Sequence, residues 1–112
     1  MLGKTVTVTI DRKLGTTHPN HNTHYPINYG YIAGIIAPDG EEQDAYILGV
    51  NKPIETFTGK VIAIIHRKDD IEDKWVVAPE GMHFSEEEIA KQTHFQEKYF
   101  NSTVCMAQPK ER

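Results

Sequence analysis

Tyr25-Pro-Ile-Asn-Tyr-Gly-Tyr-Ile32, then four small or apolar residues to Ile36, then Pro38-Asp-Gly-Glu-Glu-Gln-Asp44 form the stretch on which the fold turns. Its first part is rich in aromatic and β-branched residues and reads as a strand over residues 25–36. Pro26 puts the start at an edge or an extended approach. Gly30 and Gly34 mark a bulge, a bend or a close approach of backbones. Pro38-Asp39-Gly40 is turn chemistry, because Pro sets φ and Gly permits positive φ. Residues 45–50 read as the next strand, so the stretch is strand, tight turn, strand. The turn carries Asp39, Glu41 and Asp44. Carboxylates so placed either decorate a solvated turn or converge on a hard cation, since Mg²⁺ and Ca²⁺ take oxygen ligands.

Working outward, residues 4–10 alternate, with Val6, Val8 and Ile10 on one face and Thr5, Thr7 and Thr9 on the other, a half-buried strand. Residues 11–24 are irregular and hold His18, His21 and His24. Three readings stand for these histidines: surface groups, a transition-metal array, or phosphate contacts through imidazole hydrogen bonds. Residues 59–66 are almost continuously apolar, a strand covered on both faces. A charged connection follows from Lys68 to Lys74, then a strand over residues 75–78 stopped by Pro79 and Gly81. Ser85 and Glu88 form a capping box for one helix over residues 86–100, with Ile89, Gln96, Tyr99 and Phe100 on one face. Residues 103–107 give a last short strand. The pattern predicts a mainly β fold of the α+β kind: a small closed OB-like barrel of five to six strands with one C-terminal helix packed on it.

The 112 residues predict a single domain, residues 1–112, and 38% hydrophobic residues suffice for a core. The formal charge is −4 and no long basic cluster occurs, so a nucleic-acid partner is not expected. No apolar run is long enough to span a bilayer and no leader is evident, so no membrane partner and a cytoplasmic setting are expected. The lone Cys105 reads as a small apolar strand residue.

Tyr25 to Ile32, followed by Asp39 to Asp44, resembles the soluble, Mg-dependent, single-barrel inorganic pyrophosphatases. Their hallmark is a Tyr-Pro-x-Asn-Tyr-Gly-Tyr-Ile strand and an Asp-Gly-Asp-Pro-x-Asp turn. Glu72-Asp-Lys-Trp-Val76 and His94-Phe-Gln-Glu-Lys-Tyr99 follow in the family's order, so the likeness spans about residues 25–100. It implies Mg²⁺, with Mn²⁺ or another divalent ion as substitutes, held by Asp39, Glu41, Asp44, Asp70 and Glu72. Asp69 and Asp73 are the neighbouring alternatives in the second acidic loop. It implies catalytic work for Glu41 and Asp44, and phosphate contacts from Tyr29, Lys74 and Tyr99. It also implies a small-molecule phosphate substrate and a homo-oligomer. Such chemistry suits metals, because they screen a dense anion and acidify water.

This chain departs from the pattern in four places. Glu41 stands for an aspartate, Glu42 for a proline, and Phe100 for a lysine. A hairpin bearing a glutamate, a lysine and an arginine is replaced by residues 11–24, where Arg12, Lys13, His18 and His21 are the candidate substitutes. Arg67 is a further candidate phosphate contact. These departures leave two rival readings: the same fold acting on another phosphoanhydride, or a metal- or phosphate-binding protein without turnover.

Overall fold

The computed structural model describes residues 2–18, 23–68 and 72–106. Strands β1 (Thr5–Arg12), β2 (Asn28–Ile36), β3 (Glu42–Ile47), β4 (Thr56–Arg67) and β5 (Asp73–Ala78) precede helix α1 (Glu86–Glu97) and strand β6 (Ser102–Met106). The sheet order is β1-β2-β3-β5-β4-β6, and an additional pairing of β1 with β4 closes five strands into a barrel. All neighbours are antiparallel except β3 and β5, which run parallel. The expected mainly β barrel with a late helix is therefore the fold.

Strand β4 makes closure possible. Its first half, Thr56 to Lys60, pairs with β1, and its second half, Ala63 to Arg67, pairs with β6. One long strand thus serves two partners on the same edge, and β6 lies outside the barrel. A bulge between Val61 and Ala63 shifts the register against β5. Before it Val61 enters the barrel interior with Val8, Ile47 and Val77; after it Ala63 and Ile65 face the helix side with Tyr46, Val76 and Ile89. The change of face explains why β4 reads as continuously apolar: a bulge re-aims side chains and both faces are covered.

In β1 the alternation holds, with Val6, Val8 and Ile10 buried. In β3 and the residue after it, the alternation sorts Ala45 and Ile47 into the barrel and Tyr46 and Leu48 toward the helix. The turn after β2 closes through Ala37 N–H to Glu41 O (2.8 Å) and Gly40 N–H to Ala37 O (2.9 Å), with Gly40 at φ 88°. Only glycine adopts that φ without strain.

Gly30 has a different reason. A Cβ there would lie 2.0 Å from the carbonyl oxygen of Thr9. Strands β1 and β2 cross at this point with no room for a side chain. Gly30→Ala is expected to destabilise the protein by about 1–3 kcal/mol through forced backbone shift. A denaturant melt at unchanged m would measure it, and a loss under half of that would mean the crossing relaxes.

The helix corrects one expectation. It ends at Glu97, with Lys98 as C-cap, so Tyr99 and Phe100 lie beyond it. Its buried line is Ile89, Thr93 and Glu97, spaced by four, rather than a face through Gln96, Tyr99 and Phe100. Tyr99 is 69% exposed. The capping box forms as expected: Glu88 N–H donates to Ser85 Oγ and Ser85 N–H to Glu88 Oε1. Strand β2 begins at Asn28, because Pro26 lacks the N–H a ladder needs. Strand β3 begins at Glu42 and stops at Ile47, so the turn's last acids belong to the ladder. Strands β4 and β5 start earlier than expected, at Thr56 and Asp73, and β6 runs from Ser102 to Met106. No helix among the described residues is long and apolar enough to cross a membrane.

Candidate active site

Strand register assembles the charged centre. Ala45 pairs with Trp75 in the parallel ladder, which brings Asp44 beside Lys74. Tyr31 pairs with Asp44, and Tyr29 with Tyr46, in the antiparallel ladder. These side chains share the outer face of the barrel, under the end of α1. Lys74 Nζ lies 2.6 Å from Asp44 Oδ2, 2.7 Å from Glu72 Oε1 and 2.9 Å from the Tyr29 hydroxyl. The side chain is only 5% exposed. Burial opposes its charge, but Tyr29, Asp44 and Glu72 outweigh burial and hold it as an ammonium. Burial likewise raises the Tyr29 phenol, against the pull of Lys74, so Tyr29 stays neutral and donates toward Asp44.

Two clefts meet at Asp44. The smaller, about 260 Å³, is walled by Tyr31 and the carboxylates of Asp39, Glu41, Glu42, Asp44 and Glu72. The larger, about 600 Å³, is lined by Asp44, Tyr29, Tyr25, Gln96 and Tyr99 together with Asp11, Arg12, His18 and Thr23. The donor set of the small cleft is carboxylate oxygen, which fits a hard divalent cation. Among the described residues no three such groups already stand together as an ion cage. Asp39 accepts from Glu41 N–H (3.0 Å), and Glu42 Oε2 accepts from Gly34 N–H (3.3 Å), so two of the acids also shape the turn. Asp69, Asp70 and His21 lie outside the described residues.

Arg67 pairs with carboxylates of the helix and of the second acidic loop. It is buried at the end of β4, with Nη2 2.7 Å and Nε 3.1 Å from the two Glu97 oxygens, and Nη1 3.4 Å from Glu72. The Phe100 ring covers its guanidinium at 3.7 Å. A cation over an aromatic face is attracted, whereas a lysine in place of Phe100 would face a like charge. Glu97 also accepts from the Tyr46 hydroxyl (2.6 Å) and Ser102 Oγ (2.6 Å). Gln96 donates to the Tyr46 oxygen (2.8 Å) and accepts from the Tyr25 hydroxyl (3.3 Å).

A chain of polar contacts therefore links Tyr25, Gln96, Tyr46, Glu97, Arg67, Glu72, Lys74 and Asp44. Sequence reading missed Gln96, Glu97 and Tyr46 in it. The available signal was a glutamate four and eight residues after Thr93 and Ile89, on the helix's inward line.

Burial pushes the Glu97 carboxyl up, but hydrogen bonds from Arg67, Ser102 and Tyr46 prevail and hold it below the usual carboxylate value of 4.5. A lowered folded value stabilises the protein fully above the unfolded value. That contribution is lost as pH falls from 4.5 through the lower folded value. The melting-temperature gap between wild type and Glu97→Gln is expected to be constant from pH 7 to 5 and to shrink below 4.5. A gap independent of pH would remove Glu97 from the acid response.

No protein-family model matches the sequence, and no curated protein matches it by sequence. Solved structures do match the fold. The inorganic pyrophosphatase of Ehrlichia chaffeensis aligns over 96% of this chain and 88% of its own, at TM-score 0.74 and 15% identity. That of Coxiella burnetii aligns over 93% and 85%, at TM-score 0.67 and 17% identity. That of Thermus thermophilus aligns over 92% and 83%, at TM-score 0.67 and 16% identity. With the tyrosine strand, the acidic turn and the late helix in the same order, this chain has the fold of the soluble inorganic pyrophosphatases.

Proposed function

We propose that the protein is a divalent-metal-dependent phosphoanhydride hydrolase that splits inorganic pyrophosphate into two phosphates. The observation that carries this reading is that Asp44 borders both a carboxylate-rich cleft and a larger cleft that Arg12 and His18 also line. Asp39, Glu41 and Asp44, with Glu72 and Asp70 from the second acidic loop, would hold Mg²⁺ or Mn²⁺. Such an ion, when bound, lowers the pKa of water and neutralises phosphate charge.

The chain's own groups do the rest. Asp44 or Glu41 accepts the proton of the attacking water. Lys74 holds Asp44 and Glu72 in place and offsets their mutual repulsion. Tyr29, kept neutral by burial, orients Asp44 through its hydroxyl. Arg12, Tyr99 and His18 line the side where a leaving phosphate would sit. His21 is a further phosphate contact in this reading. Arg67, given its partners, acts through Glu72. A cytoplasmic setting and a homo-oligomer accompany this reading.

The test is phosphate release from pyrophosphate with Mg²⁺ or Mn²⁺, repeated after chelation. Release that vanishes with chelator and returns with metal supports the proposal. No release with either metal ends it.

A further inference from the structure

The large cleft carries aromatic and amide groups as well as charged ones. At about 600 Å³ it falls in the range of about 300–1,000 Å³ that holds drug-sized ligands. Lys74 is committed to Asp44, Glu72 and Tyr29, and Arg67 to Glu97 and Glu72, both under 6% exposed. Beside the charged Asp11, Arg12 and Asp44, the lining includes Tyr25, Gln96 and Tyr99. Tyr99 lines this cleft 69% exposed, with Lys98 Nζ 5.4 Å from its ring centroid. Gln96 is clamped between the Tyr46 oxygen and the Tyr25 hydroxyl. A side-chain amide offers two N–H donors and two acceptor positions, so one of each remains after those bonds. A stacking face beside a fixed amide suits a ring whose edge also donates and accepts.

We propose that this cleft takes a nucleoside 5′-diphosphate, with the diphosphate toward Asp44, the base stacked on Tyr99 and the base edge on Gln96. The proposal rests on the phosphoanhydride reading and specifies its substrate class. In the reaction the water oxygen bonds to the terminal phosphorus as the bond to the bridging oxygen breaks. The bridging oxygen leaves with the nucleoside monophosphate, inorganic phosphate is the other product, and one water proton passes by way of a carboxylate to solvent.

Binding separates the two ideas. Calorimetry with Mg²⁺ would compare adenosine and uridine 5′-(α,β-methylene)diphosphates, which resist hydrolysis, with methylenediphosphonate. At least one nucleotide analogue is expected to bind about tenfold or more tightly than methylenediphosphonate, within the worth of one base stacked on an aromatic side chain. Tyr99→Phe keeps that preference, because the ring face remains, and Tyr99→Ala loses it. Equal or weaker nucleotide binding, no nucleotide binding, or a preference that survives Tyr99→Ala overturns the proposal. Phosphate release from pyrophosphate by the same preparation reports the hydrolase reading separately. Release without nucleotide preference sinks only the base site, and preference without release of phosphate from any diphosphate sinks only the hydrolase.

Discussion

Asp44→Asn is expected to lower phosphate release from pyrophosphate by about 10²–10⁴-fold, the range supplied by a positioned acid–base group. Asparagine keeps the size of the side chain and removes its charge. The change therefore tests chemistry more than packing. Asp44 holds Lys74 at 2.6 Å and borders both clefts, and the proposed reaction uses it at their junction. Lys74 keeps Glu72 and Tyr29 in the variant, and the strand register does not depend on the carboxylate. Folding is thus retained, which circular dichroism and a thermal melt would verify. A folded Asp44→Asn protein with turnover near wild type would take Asp44 out of the mechanism.

The largest stability effect is expected at Glu97, well away from that chemistry. Glu97→Ala removes two bonds from Arg67, one from Tyr46 and one from Ser102 at a single stroke. Arg67 keeps its 3.4 Å contact with Glu72. Breaking a buried ion pair by deleting one partner costs about 3–5 kcal/mol, because a charge stays in low dielectric with less to offset it. For a domain of this size the melting temperature would fall by more than about 10 °C. Glu97→Gln would cost less, since its amide still accepts from Arg67. A loss under about 1 kcal/mol for the alanine variant would show that the network is dispensable. The same variant bears on Asp44 through an unequal competition: Arg67 would draw on Glu72, which Lys74 also uses.

Phe100 shows how a local departure can be compensated at a distance in sequence. Read alone, it is an apolar group where the resemblance expects a positive one. In the fold it lies against Arg67, so a cation already occupies the neighbourhood and the ring shields it. The lysine's absence and the arginine's burial are therefore one fact about packing. Glu41 has no comparable partner in the described contacts beyond the backbone bond that shapes its turn.

Much of the molecule was legible from residue order. Val6, Val8 and Ile10 alternate because a strand exposes alternate side chains to two faces, and burial follows. Pro38 to Gly40 and the Ser85–Glu88 box announce themselves because turns and caps are made by neighbours in the chain. The tyrosine strand and acidic turn were legible as one strand–turn–strand unit for the same reason: their spacing is local. Helix length was over-read because aromatic residues 99 and 100 continue an apolar pattern that the C-cap at Lys98 had already ended.

What local order could not carry was partnership between distant strands. The parallel pairing of β3 with β5 puts Asp44 on Lys74, thirty residues later, and with Glu72 forms an ion triad around the buried ammonium. The bulge in β4 decides which apolar residues fill the barrel and which meet the helix. Glu97 and Arg67 find each other because helix and strand pack, and neither neighbourhood names the other in sequence. Charges separated by many residues interact through space, with a strength set by burial, so their roles emerge only once the chain has closed.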